Sequence, residues 1–352
     1  MDTNISRSKI RRPGFFSIFD SRRRLIHALD RGLDELDYPP LFLWVESASR
    51  CNLKCPMCPQ SEGLKRAHGE ITTELLEKIV SEATGRVQLF SLHFGGEPLL
   101  NRKLPEIIKA VTENGIIAVL HSNGVLAGAE TARKFIDAGL DQIVFSFDAV
   151  PREEYSNKRS PADFDKTYAA IREFLEEKKR IKSRWPMVTV KSLIFYGQAA
   201  PDAAAAELRS LFAGLPVDNF AVEYAHSFSG SFAEKIVGEQ RYLMQPRGDV
   251  SGCILPWYGF SIGWDGSAYA CCNDLNGEYS LGNVNESSLL DIWNGPAARR
   301  LRRNLADRNL GELPLCAQCD AVHRRFSTSD VIKEGVKFSI KHAVRPAIFS
   351  KR

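Results

Sequence analysis

Between about residues 40 and 226, strand-like and helix-like segments alternate, and this alternation limits the fold more than any other feature of the chain. LFLWVES (41–47), VQLFSLHF (87–94), IIAVLHSNG (116–124), QIVFSFDA (142–149), MVTVKSLIFY (187–196) and NFAVEYAH (219–226) read as strands. Thr72 is placed to cap a helix over TELLEKIVSEA. KLPEIIKAVTENG closes on Gly115 and AETARKFIDAG on Gly139. Residues 162–181 form a long helix, and AAAAELRSLFAG forms another. Helical segments of this length between strands predict βαβ units, a parallel sheet and right-handed crossovers. Six such units suit an α/β fold built as a partial, open (β/α)6 barrel.

Residues 227–252 lose the alternation and read as a linker. From Cys253 the pattern becomes a β-hairpin with short helices. The expected organisation is a basic N-terminal extension over 1–39, the barrel over 40–226, the linker, a small C-terminal domain over 253–325 and a basic tail over 326–352. The net charge of +4 conceals an asymmetry. Residues 1–32 and 333–352 each carry +5, so the middle carries −6. Both basic ends also hold apolar residues, among them Phe15, Phe16, Phe19, Phe338, Ile340 and Phe349. They read as solvated or loosely docked termini, or as a weak contact for an anionic surface. No run of 18 apolar residues marks a membrane-spanning helix, and the N-terminus lacks a secretory pattern. Eight cysteines in such a chain imply a reducing, cytoplasmic setting where thiols serve metals.

Cys51, Cys55 and Cys58 fall in one loop, SRCNLKCPMCPQ, with the spacing C-x3-C-x2-C. Three thiolates can hold three irons of a four-iron cubane. A ferredoxin-type cluster uses a fourth Cys, and none lies nearby, so one iron is left open to a chelating ligand. A zinc knuckle or buried unligated thiols are the alternatives, although zinc sites favour paired C-x2-C spacings.

The loop resembles the signature of the radical S-adenosylmethionine (SAM) enzymes, with Met57 in the bulky position before the third Cys. That resemblance implies that the open iron binds the amino and carboxylate groups of SAM, and that an electron from the cluster yields a 5′-deoxyadenosyl radical. Gly95-Gly96-Glu97-Pro98, after the second strand, is similar to the family's GGEP motif, which holds the SAM amino group. Two glycines also let a backbone approach a ligand closely. Ser122-Asn123-Gly124 is similar to the SNG element, implying Ser122 or Asn123 near the SAM carboxylate or ribose. In the fourth strand Ser146 and Asp148 share one face, opposite Phe145 and Phe147. The resemblance makes Ser146 a ribose or carboxylate contact. Asp148 is either a cofactor contact or a cap for the next helix. Lys191 or Ser192, and Glu223, are polar positions on late strands that could face SAM or substrate. His93, His121 and His226 at strand ends read as structural histidines.

Five further cysteines lie in the last hundred residues. Asp265-Gly266 signals a hairpin that delivers Cys271 and Cys272, and Cys316-x2-Cys319 adds a pair. With Cys253, the arrangement resembles the SPASM auxiliary-cluster domain. No cysteine follows Cys319, which matches the shortened twitch version with one cluster. Cys253, Cys271, Cys316 and Cys319 would saturate one auxiliary four-iron cluster, able to pass electrons or to staple the domain. A zinc ribbon from the same thiolates is the alternative. Cys272 is spare, either a packed small residue or a hydrogen-atom donor of the kind used by radical epimerases.

The expected activity is hydrogen abstraction from a carbon of a small polar substrate, such as a sugar or aminocyclitol, followed by two-electron oxidation with the auxiliary cluster as electron acceptor. The resemblance leaves open a peptide-modifying enzyme or an epimerase. Forty N-terminal residues are too few for the peptide-clamping domain of about 80 residues that many peptide modifiers in the family carry, which tilts the reading towards a metabolite. A flavodoxin or ferredoxin is the expected electron donor. A non-catalytic iron–sulfur carrier would leave GGEP and SNG unexplained. A zinc-bearing nucleic-acid binder is disfavoured by the acidic middle of the chain, so no nucleic acid is expected.

Overall fold

The computed structural model describes residues 15–149, 151–195, 200–226, 228, 234–237, 240–243 and 252–323. Six strands, β1 (Phe42–Val45), β2 (Leu89–Ser91), β3 (Ile117–Ser122), β4 (Gln142–Ser146), β5 (Met187–Ile194) and β6 (Asn219–Tyr224), run parallel in sequence order. A helix α1 (Phe15–Arg31) precedes them. The strands are joined through α2 (Thr73–Ala83), α3 (Leu104–Glu113), α4 (Ala129–Ala138), a short α5 (Tyr155–Lys158) with α6 (Phe164–Arg180), and α7 (Pro201–Leu211). Local chemistry sets these boundaries. Thr72 accepts the Leu75 N–H at 3.2 Å, and Asp163 accepts the Lys166 N–H at 2.9 Å, each satisfying a first-turn donor. Gly139 ends α4 in the left-handed conformation. Lys178, Lys179 and Arg180 sit in the last turn of α6, where cations suit the helix dipole.

One face of each strand packs on the helices and the other lines the barrel. Phe145 stacks edge-on against Phe174 of α6, and Phe147 packs on Tyr155, Phe164 and Phe212. On the opposite face Phe42, Leu89, Ile117 and Val119 form a separate apolar floor inside the barrel. Strand periodicity then carries His121, Ser146, Lys191 and Glu223 upward along the same inner face, towards the C-terminal ends.

The C-terminal region completes the sheet rather than standing apart. After α8 (Leu255–Tyr258), β9 (Gly259–Ile262) pairs parallel to β1, with Phe42 opposite Gly259. The strand β10 (Ser267–Tyr269) returns from the hairpin and β11 (Ser280–Asn283) follows, giving nine strands in the order β11-β10-β9-β1-β2-β3-β4-β5-β6. β6 is the far edge, so the barrel is open. Only glycine fits at 259, since a Cβ there would lie 1.9 Å from the Phe42 carbonyl oxygen. Within the expected linker, β7 (Glu234–Val237) and β8 (Gln240–Leu243) form a two-stranded antiparallel sheet.

The N-terminal segment is also more firmly held than its charge implies. Leu25 and Ala28 of α1 are buried in the main core. Trp257 donates to the Leu33 carbonyl at 2.7 Å, and Trp293 to the Tyr38 carbonyl at 2.7 Å. Trp293 lies in α9 (Leu289–Trp293), followed by α10 (Pro296–Ala306) and α11 (Pro314–Ala317). Arg302 of α10 is buried over the Trp293 ring at 4.1 Å and donates to the Pro256 and Asp34 carbonyls. Residues 20–39 therefore belong to one core with the C-terminal helices. The outermost basic stretches, 1–14 and 324–352, lie outside the described residues, as do the side chains of Phe15, Phe16 and Phe19.

Candidate active site and cluster-binding loops

The three-cysteine loop leaves the C-terminal end of β1, where parallel α/β folds place their chemistry. N–H groups converge on its sulfurs. The Leu53 amide donates to Cys51 Sγ at 3.4 Å, and Asn123 Nδ2 does so at 3.9 Å. Arg159 Nη1 donates to Cys55 Sγ at 3.9 Å. Burial pushes the Cys51 thiol up to about 11 and the Cys58 thiol up to about 12, and it raises Cys55 as well. Thiols in such a setting ionise on meeting a metal, and the donors around them suit sulfur acceptors. Met57, expected at the cofactor, packs into the main core and anchors the loop.

Glu97 ties the ends of β2 and β3 to this loop. Its carboxylate is buried and accepts from Ser122 Oγ at 2.8 Å, the Asn123 amide at 2.8 Å and the Leu99 amide at 3.0 Å. Burial raises its pKa against these three bonds. Asn123 in turn donates to Asn52 Oδ1 at 2.8 Å, within the cysteine loop. Glu97, Ser122 and Asn123, each read from sequence as a SAM contact, are thus brought together by one another. Their network fixes where Cys51 sits.

Gly95 and Gly96 are required by the chain's own packing. A Cβ on Gly96 would lie 2.3 Å from the Ala48 carbonyl oxygen and 2.6 Å from that of Arg50, both in the strand-to-loop segment before Cys51. A Cβ on Gly95 would meet Arg66 and Glu46. The chain's own backbone and an ion pair fill that space. Glu46 is fully buried and receives both Arg66 terminal nitrogens, at 2.5 and 2.6 Å. It also accepts the Gly95 amide at 3.0 Å and the Trp264 amide at 3.3 Å. Arg66 adds a bond to the Leu275 carbonyl at 2.6 Å and lies over the Phe94 ring. This node joins β1, the GGEP loop and the C-terminal hairpin. No local sequence signal pointed to it.

Asp148 caps no helix. Its Oδ1 accepts the Leu193 amide at 2.6 Å, and its Oδ2 pairs with Arg159 Nε at 2.7 Å. Ser192 is buried on the helix side, so Lys191 is the polar residue of that pair on the inner face.

The barrel mouth carries two structured polar pairs. Lys191 Nζ donates to Glu223 Oε2 at 2.6 Å. His93 and His121 stack with centroids 4.2 Å apart and planes 17° apart. Burial, then the Lys191 ammonium, holds His93 down at about 3, and the same causes with His93 itself hold His121 well below the usual range. The His121 backbone N–H donates to His93 Nδ1 at 3.3 Å. An amide N–H can only donate, so the His93 ring proton sits on Nε2. His226 packs instead against Phe228, with ring centroids 4.1 Å apart and planes tilted by 54°.

In the C-terminal region, Cys253, Cys271, Cys316 and Cys319 line one pocket with Ala270, Leu301 and Val322. The hairpin turn runs as its Asp-Gly predicts, with Gly266 at φ +87° and Asp265 accepting the Ser267 amide. Asn273 Nδ2 donates to Cys319 Sγ at 3.6 Å and the Ala321 amide at 3.4 Å. Burial drives Cys253 and Cys316 up to about 12 and raises Cys271 well above the ordinary thiol range. Four sulfurs around an apolar cavity, with N–H donors aimed at one of them, fit a saturated iron–sulfur cluster. Cys272 follows this set's Cys271 in the chain, and burial pushes its thiol up to about 12.

The radical SAM superfamily model matches residues 45–198, and the model of the iron–sulfur cluster-binding SPASM domain matches residues 253–320. The chain belongs to the radical SAM superfamily and carries a SPASM-type C-terminal domain. Its cofactors are accordingly SAM, the four-iron cluster that binds it and an auxiliary iron–sulfur cluster. The chain is similar to the tungsten-containing aldehyde ferredoxin oxidoreductase cofactor-modifying protein of Pyrococcus furiosus, at 24% identity over 72% of this chain and 80% of that one. It is 35% identical to the PqqA peptide cyclase of Granulibacter bethesdensis over 33% of this chain, a stretch that spans 31% of the cyclase. Among solved structures, BtrN in complex with AdoMet and 2-DOIA matches with a TM-score of 0.56 at 18% identity, covering 82% of this chain and 95% of BtrN. That likeness is one of fold.

Proposed function

We propose that this radical SAM enzyme abstracts hydrogen from a carbon of a small polar substrate, such as a sugar or aminocyclitol, and oxidises it by two electrons. Cys51, Cys55 and Cys58 would hold the SAM-binding cluster, and Cys253, Cys271, Cys316 and Cys319 the auxiliary one. When bound, SAM and its cluster supply the abstracting radical, and the auxiliary cluster accepts the substrate's second electron.

One observation carries the substrate reading. The inner face at the barrel mouth presents Lys191 paired with Glu223, the His93 Nε2–H and Ser146, with no unpaired formal charge among them. Donors and acceptors are interleaved there, as hydroxyl and amino groups require. A phosphate or dicarboxylate would meet a lysine already neutralised by its glutamate. The apolar floor below keeps the substrate at the level of the strand ends. Loss of one hydrogen atom, one proton and one electron balances the oxidation of an alcohol to a ketone.

A second reading, radical modification of a peptide, is favoured by the 35% likeness to a PqqA peptide cyclase. Eight unbridged thiols suit the cytoplasm, and a flavodoxin or ferredoxin would supply the electrons. Among the described residues no helix is long and apolar enough to cross a membrane.

The test begins with anaerobic reconstitution. The wild-type chain should hold about eight irons and release 5′-deoxyadenosine with dithionite, while Cys51→Ala should hold about four and release none. An aminocyclitol panel should then stimulate 5′-deoxyadenosine release in the wild type and not in Glu223→Gln. Stimulation by a peptide alone would overturn the small-substrate reading.

A further inference from the structure

Arg159 follows α5 and reaches back to the cysteine loop. Its Nη1 donates to Cys55 Sγ at 3.9 Å, and its Nε lies 2.7 Å from Asp148 Oδ2. The Arg159 side chain is 12% exposed and that of Asp148 is fully buried. Neither can drift. Asp148 is pinned by the Leu193 amide at 2.6 Å, and the Lys54 amide donates to the Ser160 carbonyl at 2.6 Å, clamping the arginine's own loop to the cysteine loop. Burial works against the guanidinium, but Asp148 and Cys55 keep it charged. A buried ion pair is a poor device for stability alone, because apolar residues of similar size do as well or better. This pair instead aims its cation at a sulfur.

We propose that Arg159 raises the reduction potential of the cluster held by Cys51, Cys55 and Cys58, and that Asp148 acts as its counterweight. The proposal rests on the reading that these three thiolates hold that cluster. Reduction adds one negative charge to the cluster. A cation that donates to a ligand sulfur stabilises the reduced form more than the oxidised one. Asp148 pairs with the same guanidinium through Nε, 2.7 Å away, and its negative charge offsets part of that effect. Arg159 is therefore a positioning and tuning residue, not a catalytic one.

The experiment is a potentiometric titration of the full, anaerobically reconstituted chain, followed by electron paramagnetic resonance. The signal that changes on adding SAM identifies the three-cysteine cluster. Arg159→Gln should lower its midpoint potential, Arg159→Lys should lower it less, and Asp148→Asn should raise it. A merely structural pair would give shifts of the same sign, or none, and either result would overturn the proposal. Should Arg159→Gln fail to load the cluster, the opposed shifts of Arg159→Lys and Asp148→Asn still decide. A wild-type chain that loads iron but shows no SAM-responsive signal overturns the three-thiolate reading itself, and this proposal with it.

Discussion

Arg66→Met tests whether the barrel and the C-terminal hairpin are joined by one buried ion pair. Arg66 gives two hydrogen bonds to Glu46 and one to the Leu275 carbonyl. The Arg66 side chain is 10% exposed and that of Glu46 is 0% exposed, so solvent screening is slight. Bonds to charged groups contribute about 1.5–3 kcal/mol each, which sets a ceiling. Removing one partner of a buried pair typically costs about 3–5 kcal/mol, because the other charge stays buried. The expected loss is therefore about 4 kcal/mol. Glu46→Gln leaves the arginine its carbonyl partner and a neutral amide, and should cost about 3 kcal/mol. The double variant should cost about 4 kcal/mol rather than the sum, a coupling of roughly 3 kcal/mol. The assay is urea unfolding of the reduced, metal-free chain, followed by far-ultraviolet circular dichroism and tryptophan fluorescence, with coincident curves as the condition for using one free energy. With a slope near the upper end for small proteins, about 3 kcal/mol per molar urea, the single Arg66 variant should lose a little over about 1 M in midpoint. A loss below about 1 kcal/mol, or additive singles, would refute the reasoning.

Two further outcomes follow from the geometry. Gly96→Ala should lower iron loading of the three-cysteine site and cost about 1–3 kcal/mol, since its Cβ would press on the Ala48 and Arg50 carbonyls; colorimetric iron and a thermal melt check both. Glu177 is held at about 2, below its ordinary 4.5, by hydrogen bonds from Arg180 and then Arg133. A depressed carboxylate stabilises the fold above pH 4.5 and loses that contribution as pH falls towards 2, so Glu177→Gln should flatten that limb of a stability–pH curve, and an unchanged limb would sink the assignment.

Much of the scaffold is legible in one dimension. The strand at 142–146 alternates Ser146 against Phe145, and α6 begins where Asp163 can cap it, because both patterns are set by neighbours within four residues. The cysteine spacings are legible for the same reason, since a short loop brings its own ligands together. Other contacts are not legible there. Gly95 and Gly96 make room for the chain's own backbone and an ion pair, and Asp148 pairs with an arginine.

The amino-acid order by itself determined the six parallel strands, the helix caps, the hairpin at Asp265-Gly266 and which thiols fall within reach of one another. Only the tertiary structure decided that β9 completes the sheet beside β1, that Glu46 meets Arg66, and that Arg159 reaches a cysteine 104 residues away. The reason is physical. Backbone periodicity and capping are local energies, repeated along the chain and visible in it, whereas the partner of a buried charge is chosen by whichever distant element closes over it, and nothing near that charge in sequence says which element that is.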